Sequence, residues 1–93
     1  MIIRILNEGQ YRLKGVALEQ LDALDDTMLD ALEKGDEQGF RRAFDEVLAL
    51  IRGQGARLAD GELQESDLIL PPADTTIDEA RELFADYPRQ LLG

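Results

Sequence analysis

The sequence contains no cysteine, no histidine and no tryptophan. The lack of cysteine excludes disulfides, thiolate metal sites and cysteine nucleophiles together. The lack of histidine removes the commonest general base and the commonest side-chain metal ligand, so the one serine, Ser66, has no partner for a Ser-His-Asp arrangement. Only carboxylates remain as abundant reactive groups, and we therefore expect a protein that is not an enzyme and holds no cofactor or metal.

Basic residues are scarce, because ten lysines and arginines face twenty aspartates and glutamates, for a formal net charge of −10. A field of this sign repels nucleic acid and anionic membranes, so we expect no direct binding to nucleic acid and membrane contact only through a partner. No apolar run approaches the roughly 20 residues of a membrane-spanning helix, and the first residues lack the order of a signal peptide. A cytoplasmic address is the simplest interpretation.

The spacing of apolar residues and turn signals predicts one α+β domain over residues 1–93. Residues 1–15 alternate around Asn7–Gly9, which predicts a β-hairpin packed on helices. Residues 17–34 and 36–53 carry apolar residues three and four positions apart, and Gly35 between them favours an antiparallel helical hairpin. The remainder is predicted as a loop over 54–67, an extended segment over 68–72, a helix over 76–86 with a capping box, and a tail over 87–93. The extended segment either adds a third short strand near residues 67–70 or docks on the helices.

The sequence contains no complete motif for calcium or phosphate binding. A calcium loop started at Asp60 would need glycine and glutamate at its sixth and twelfth positions, where Glu65 and Pro71 stand. The G-x-G of residues 53–55 follows a helix and no lysine-serine or lysine-threonine pair comes after it. Nearly every carboxylate lies at a position predicted to be exposed, so a solvated surface explains them better than a catalytic acid pair. The pair Arg41-Arg42 is predicted to form i,i+4 ion pairs on a helix surface.

An acidic stripe on the first predicted helix is one candidate for partner binding. Its members recur at three- and four-residue steps and have almost no bases beside them: Glu19, Asp22, Asp26, Asp30 and Glu33. Repulsion between such neighbours destabilises a helix by a few tenths of a kcal/mol per pair. Either the stripe docks on a basic surface, or it serves solubility alone.

The predicted hairpin is the second candidate, this time for self-association. Two strands alone are marginally stable, and their open edge invites pairing with a further strand. Either Leu68–Leu70 covers that edge, or a second copy of the chain does and forms a homodimer. The residues assigned to self-association are Ile3, Ile5, Tyr11, Leu13, Leu68 and Leu70.

Two segments resemble a known family. They are MIIRILNEGQYRL (residues 1–13) and SDLILPPAD (residues 66–74), the latter followed by the helix from Thr76 to Phe84. They are similar to the PspA-associated family, PspAA, small proteins of actinobacteria and archaea named for phage shock protein A. PspA is a coiled-coil membrane-stress protein of the inner membrane surface. The resemblance implies a non-enzymatic companion of PspA in the envelope stress response, and it carries no catalytic residues.

Three functions therefore stay open at this point. The favoured hypothesis is an adaptor or regulator that binds a PspA-type coiled-coil protein through the acidic stripe and is recruited by it to the inner membrane surface. The alternative is an acidic nucleic-acid mimic or antitoxin-like inhibitor of a basic protein. The third is a small enzyme that uses carboxylates alone, which the missing histidine and cysteine disfavour.

Overall fold

Residues 2–12 form the predicted β-hairpin in the computed structural model, which describes residues 1–59, 61–62 and 64–84. Strand β1 (Ile2–Ile5) pairs antiparallel with strand β2 (Gly9–Arg12), and Ile3 lies opposite Tyr11. The chain reverses at Asn7, whose φ is 68°. Asparagine tolerates this left-handed conformation better than most residues, which explains why the turn forms here.

Two long helices form the predicted antiparallel hairpin. Helix α1 spans Val16–Lys34 and helix α2 spans Glu37–Gln54, each within one residue of the predicted ends. Helix α1 ends at Gly35, which adopts a left-handed conformation with φ 73° that costs little without a Cβ. Asp36 then caps α2, because its Oδ1 accepts a hydrogen bond from the N–H of Gly39 at 3.0 Å.

The sheet has four strands, one more than the largest number that the sequence predicts. Strand β3 (Ala56–Arg57) pairs antiparallel with β2 inside the segment predicted as a loop. Strand β4 (Leu68–Leu70) pairs parallel with β1, so the extended segment belongs to the sheet. The strand order is β3-β2-β1-β4. Two residues are too few to show an alternating pattern, which is why β3 escapes prediction.

A short helix, α3 (Ile77–Leu83), follows β4 and opens with the predicted capping box. The hydroxyl of Thr76 accepts from the N–H of Glu79 at 3.2 Å, and the Glu79 carboxylate accepts from the N–H of Thr76 at 3.0 Å. Leu83 ends this helix before the predicted limit of 86. Residues 85–86 and the predicted tail over 87–93 lie outside the described residues.

The core lies between one face of the sheet and the helices. Side chains alternate between the two faces of a strand, so Ile3 and Ile5 point to the helices while Arg4 points away. The helices supply the other half, including a stacked pair, Phe40 and Phe44, whose ring centroids are 5.5 Å apart. The fold is therefore a four-stranded sheet with helices on one face.

Candidate protein-binding surfaces

The five residues of the predicted stripe lie along one face of α1, and we call this surface the acidic face. Its members are Glu19, Asp22, Asp26, Asp30 and Glu33. Glu19, Asp30 and Glu33 are exposed, whereas Asp22 and Asp26 are half-buried. The opposite side of α1 carries Leu21, Met28 and Leu32 into the core. The acidic face therefore points away from the core.

One carboxylate of α1 departs from the prediction that nearly all acids are exposed. Asp25 is 0% exposed and lies among the largest buried side chains. The sequence position of Asp25 indicates this burial, because it is four residues after Leu21 and three before Met28, on the apolar side of the helix. Asp25 consequently belongs to the interior and takes no part in the acidic face.

The structure places the six residues assigned to self-association inside a single copy. Each is buried in the core: Ile3, Ile5, Tyr11, Leu13, Leu68 and Leu70. Their side chains belong to the core cluster that the sheet shares with the helices of the same copy. Of the two predicted coverings of the hairpin edge, the first is present, since β4 pairs with β1. A homodimer through these residues stays a prediction.

The outer face of the sheet carries basic side chains. Arg4 is half-buried, Arg12 and Lys14 are exposed, and alternation along the strands puts all three on this side. We call these three residues the basic face. Ile69 pairs with Arg4 in the β4–β1 register and is 55% exposed, so it borders the basic face with an apolar side chain.

Part of the outer face is covered by the connection between β3 and β4. The side-chain nitrogen of Gln10 donates to the carbonyl of Gln64 at 2.7 Å and to the hydroxyl of Ser66 at 2.8 Å. The Asp67 carboxylate accepts from the N–H of Ile2 at 2.7 Å. These bonds satisfy a buried amide and a strand end, so Ser66 and Asp67 have structural roles here. No local sequence pattern identifies such contacts, because their partners lie more than fifty positions away.

A charged cluster joins the hairpin turn to the end of α2. The Glu8 carboxylate pairs with Arg52 at 2.5 Å and accepts a hydrogen bond from the Tyr11 hydroxyl at 2.7 Å. Arg57 completes the cluster by donating to the Glu8 carbonyl at 2.8 Å. The hydrogen bonds from Arg52 are the main reason why the pKa of Glu8 falls to about 2, and the bond to Glu8 raises the pKa of Tyr11. The cluster holds the hairpin turn against the end of α2.

An open groove of about 830 Å³ lies between the start of α2 and the start of α3. Phe40 and Ile77 contribute its apolar lining, and Arg41 also lines it. The Arg41 guanidinium donates to Asp45 at 2.9 Å, as the predicted i,i+4 pair, and to the carbonyls of Ala73 and Thr75. These bonds fix the chain between β4 and α3 on α2, so Arg41 has a structural function.

Two kinds of site are not found among the described residues. No group of three or more acids there is arranged to hold a metal ion. No helix in that part of the chain is long and apolar enough to cross a membrane.

Comparison with known proteins agrees with the resemblance in the hairpin and β4 segments. Neither a curated protein nor a solved structure matches the chain significantly. A family model described as PspA-associated protein, PspAA, matches residues 1–90. This match covers nearly the whole sequence and includes both surfaces described above. The chain therefore belongs to the PspA-associated protein family, PspAA.

Proposed function

We propose that this chain is a non-enzymatic adaptor or regulator that binds PspA directly and reaches the membrane surface through it. Membership of a family named for association with PspA supports the choice of partner. The acidic face supports the mode of binding, and it is the observation on which the proposal rests. Its five carboxylates extend over roughly 21 Å of a regular helix, a length suited to contact with another helix.

The arrangement of charge on α1 favours binding over solubility alone. Like charges three and four residues apart destabilise a helix, and a surface selected only for stability would intersperse lysines. The last turn of α1 holds a single base, Lys34. A basic surface on the partner would be complementary to the acidic face and would steer the two proteins together. Binding through the acidic face should therefore weaken as the salt concentration rises.

Reversal of charge on the acidic face tests the proposal. Immobilised chain carrying Asp22→Lys, Asp26→Lys and Asp30→Lys should capture purified PspA at least roughly tenfold more weakly than the unchanged chain, because three attractive contacts become repulsive. The affinity can be measured by surface plasmon resonance or biolayer interferometry at 0.15 M salt. Circular dichroism of each variant establishes that α1 is still folded.

A matched variant separates the acidic face from net charge. Glu46→Lys, Glu62→Lys and Asp74→Lys change exposed acids outside α1 and alter the net charge by the same amount. This control should keep most of the affinity for PspA. Equal losses in the two triple variants, or no loss in the α1 variant, would show that the acidic face is not the binding surface.

The same surface would serve the alternative function, inhibition of a basic protein. The two functions differ in the partner alone. Affinity capture from native lysate with the unchanged chain and the α1 variant should enrich PspA in the first sample and lose it in the second. Enrichment of a nuclease or DNA-binding protein instead would favour the inhibitor.

A further inference from the structure

The groove between the start of α2 and the start of α3 has the dimensions of a binding site. Its volume of about 830 Å³ lies within the range of roughly 300–1,000 Å³ that is usual for ligand pockets. Because the groove is open to solvent, a small molecule in it would stay partly in water, whereas a side chain from a protein surface would be covered by the rest of that protein. The groove therefore suits a segment of a partner protein.

The apolar lining of the groove is held in place before any partner binds. Phe40 is buried in the core and Ile77 is half-buried at the first turn of α3. Arg41 fixes the chain that leads into α3 on α2, because its guanidinium donates to the carbonyls of Ala73 and Thr75 at 3.0 and 3.1 Å. An apolar side chain can thus enter without the cost of ordering the walls.

The rim of the groove carries more acid than base. Arg41 pairs with Asp45 at 2.9 Å, so these two charges offset each other. The other charged side chains of the lining are Glu37, Asp78 and Arg42, which are exposed and take part in no ion pair among the described residues. Each of the two acids lies in the first turn of its helix, where the helix dipole favours it. Two acids against one base favour an occupant with a positive charge.

We propose that the groove binds a partner-protein segment that packs one apolar side chain against Phe40 and Ile77 and places a lysine or arginine beside Glu37 and Asp78. The apolar side chain supplies a buried contact of the kind that dominates the affinity of protein interfaces. The base supplies selectivity, because an acidic segment would be repelled at the same rim. This site is separate from the acidic face of α1 and uses none of its residues.

PspA is the first partner to test at this groove. Charge attraction at an exposed surface contributes little affinity by itself, so a segment of PspA that binds this chain needs an apolar contact as well. The groove supplies such a contact. The identification of PspA as the occupant rests on the proposed function, whereas the binding of a basic segment with an apolar side chain does not.

A peptide probe tests the groove without PspA. An acetylated and amidated tripeptide of arginine, leucine and arginine is titrated into ¹⁵N-labelled chain, and the amide chemical shifts are followed. The largest changes should fall on residues 37–42 and 75–78 and should saturate. A tripeptide of glutamate, leucine and glutamate should bind at least roughly fivefold more weakly, because attraction becomes repulsion. Replacement of the leucine by alanine in the arginine probe should weaken binding too, because apolar contact is lost.

Two pairs of variants locate the site on the protein. Ile77→Ala removes apolar lining and should weaken the arginine probe, whereas Ile69→Ala removes the same atoms from the sheet and should not. The double variant Glu37→Gln and Asp78→Asn should reduce the preference for the arginine probe over the glutamate probe. Its control, Glu46→Gln and Glu62→Gln, changes two exposed acids outside the groove and should keep that preference. The amide spectra themselves show whether each variant is folded.

Several results would overturn the proposal. These are shift changes centred outside the groove, equal binding of the arginine and glutamate probes, or equal binding by the Ile77→Ala and Ile69→Ala variants. Capture of purified PspA by the same two variants then identifies the occupant. Weaker capture by Ile77→Ala supports PspA, and equal capture by both excludes PspA from the groove. Probe binding without any capture of PspA would keep the groove and contradict the proposed function.

Discussion

Glu8 shows how a single side chain can tie together distant parts of this small fold. It lies in the hairpin turn, yet its carboxylate contacts Arg52 at the end of α2 and the hydroxyl of Tyr11. The Glu8 side chain is 23% exposed and that of Arg52 is 43% exposed, so solvent weakens their attraction. The two parallel hydrogen bonds partly offset this weakening, because the Arg52 guanidinium donates to both oxygens of the Glu8 carboxylate.

The lowered pKa of Glu8 predicts an acid-sensitive contribution to stability. The pKa is about 2 in the folded chain against an ordinary 4.5, so the unfolded state binds a proton first as the pH falls. The contribution is complete above pH 4.5 and is lost as the pH falls towards 2. Glu8→Gln should lower the free energy of unfolding by about 1 kcal/mol at pH 7, once the exposure of Arg52 is allowed for.

Urea unfolding at several pH values measures this effect. The difference between Glu8→Gln and the unchanged chain should shrink as the pH is lowered from 5 towards 2, because the native carboxyl becomes protonated and resembles the amide. Glu62→Gln, which changes an exposed acid, serves as the control and should show no comparable trend. A difference that is constant over this pH range would assign the loss to packing instead of charge.

The ends of α1 and α2 are the structural features that the sequence predicts best. The pattern of apolar residues defines α1 and α2, and Gly35-Asp36 defines the turn between them, because each signal is local and involves neighbouring positions. The strand β3 and the connection to β4 lack such a signal. Their hydrogen bonds join residues such as Gln10 and Gln64, so only the folded chain reveals them. The acidic face could be predicted because its residues repeat at local helical spacing. The hydrogen bond from Gln10 to Ser66 could not be predicted because the two residues are far apart in the sequence.

The helix boundary at Gly35 gives a prediction with a matched control. Gly35→Ala should destabilise the protein by about 1 kcal/mol, because alanine is strained at a φ of 73°. Gly53→Ala, near the end of α2, places its Cβ in open space and should raise stability by up to about 1 kcal/mol. Thermal and urea unfolding of the two variants measure both signs. A neutral or stabilising Gly35→Ala would contradict the left-handed end of α1.

The pairing of β1 with β4 joins the start of the chain to a segment far along the sequence. Strand β4 pairs with β1 across more than sixty positions of sequence, and both long helices lie between the two strands in the chain. The same closure separates the two charged faces, because it fixes the sheet on one side of the core and α1 on the other. The sequence offered two alternatives for residues 68–72, and the apolar pattern could not decide between them. A run of three apolar residues suits a strand and a docked segment equally.

Adjacent residues of β4 test whether this strand belongs to the core or only lies against it. Leu70 is 0% exposed and points to the helices, whereas Ile69 points outward. Leu70→Ala should lower the free energy of unfolding by about 2–4 kcal/mol, because it leaves a cavity in the core. Ile69→Ala should cost less than about 1 kcal/mol, since its side chain is already largely in water. Urea unfolding followed by circular dichroism and by tyrosine fluorescence checks the pair. Coincident transitions would show that the strand carrying Tyr11 unfolds together with the helices. Equal effects of the two substitutions would contradict the register of β4 against β1.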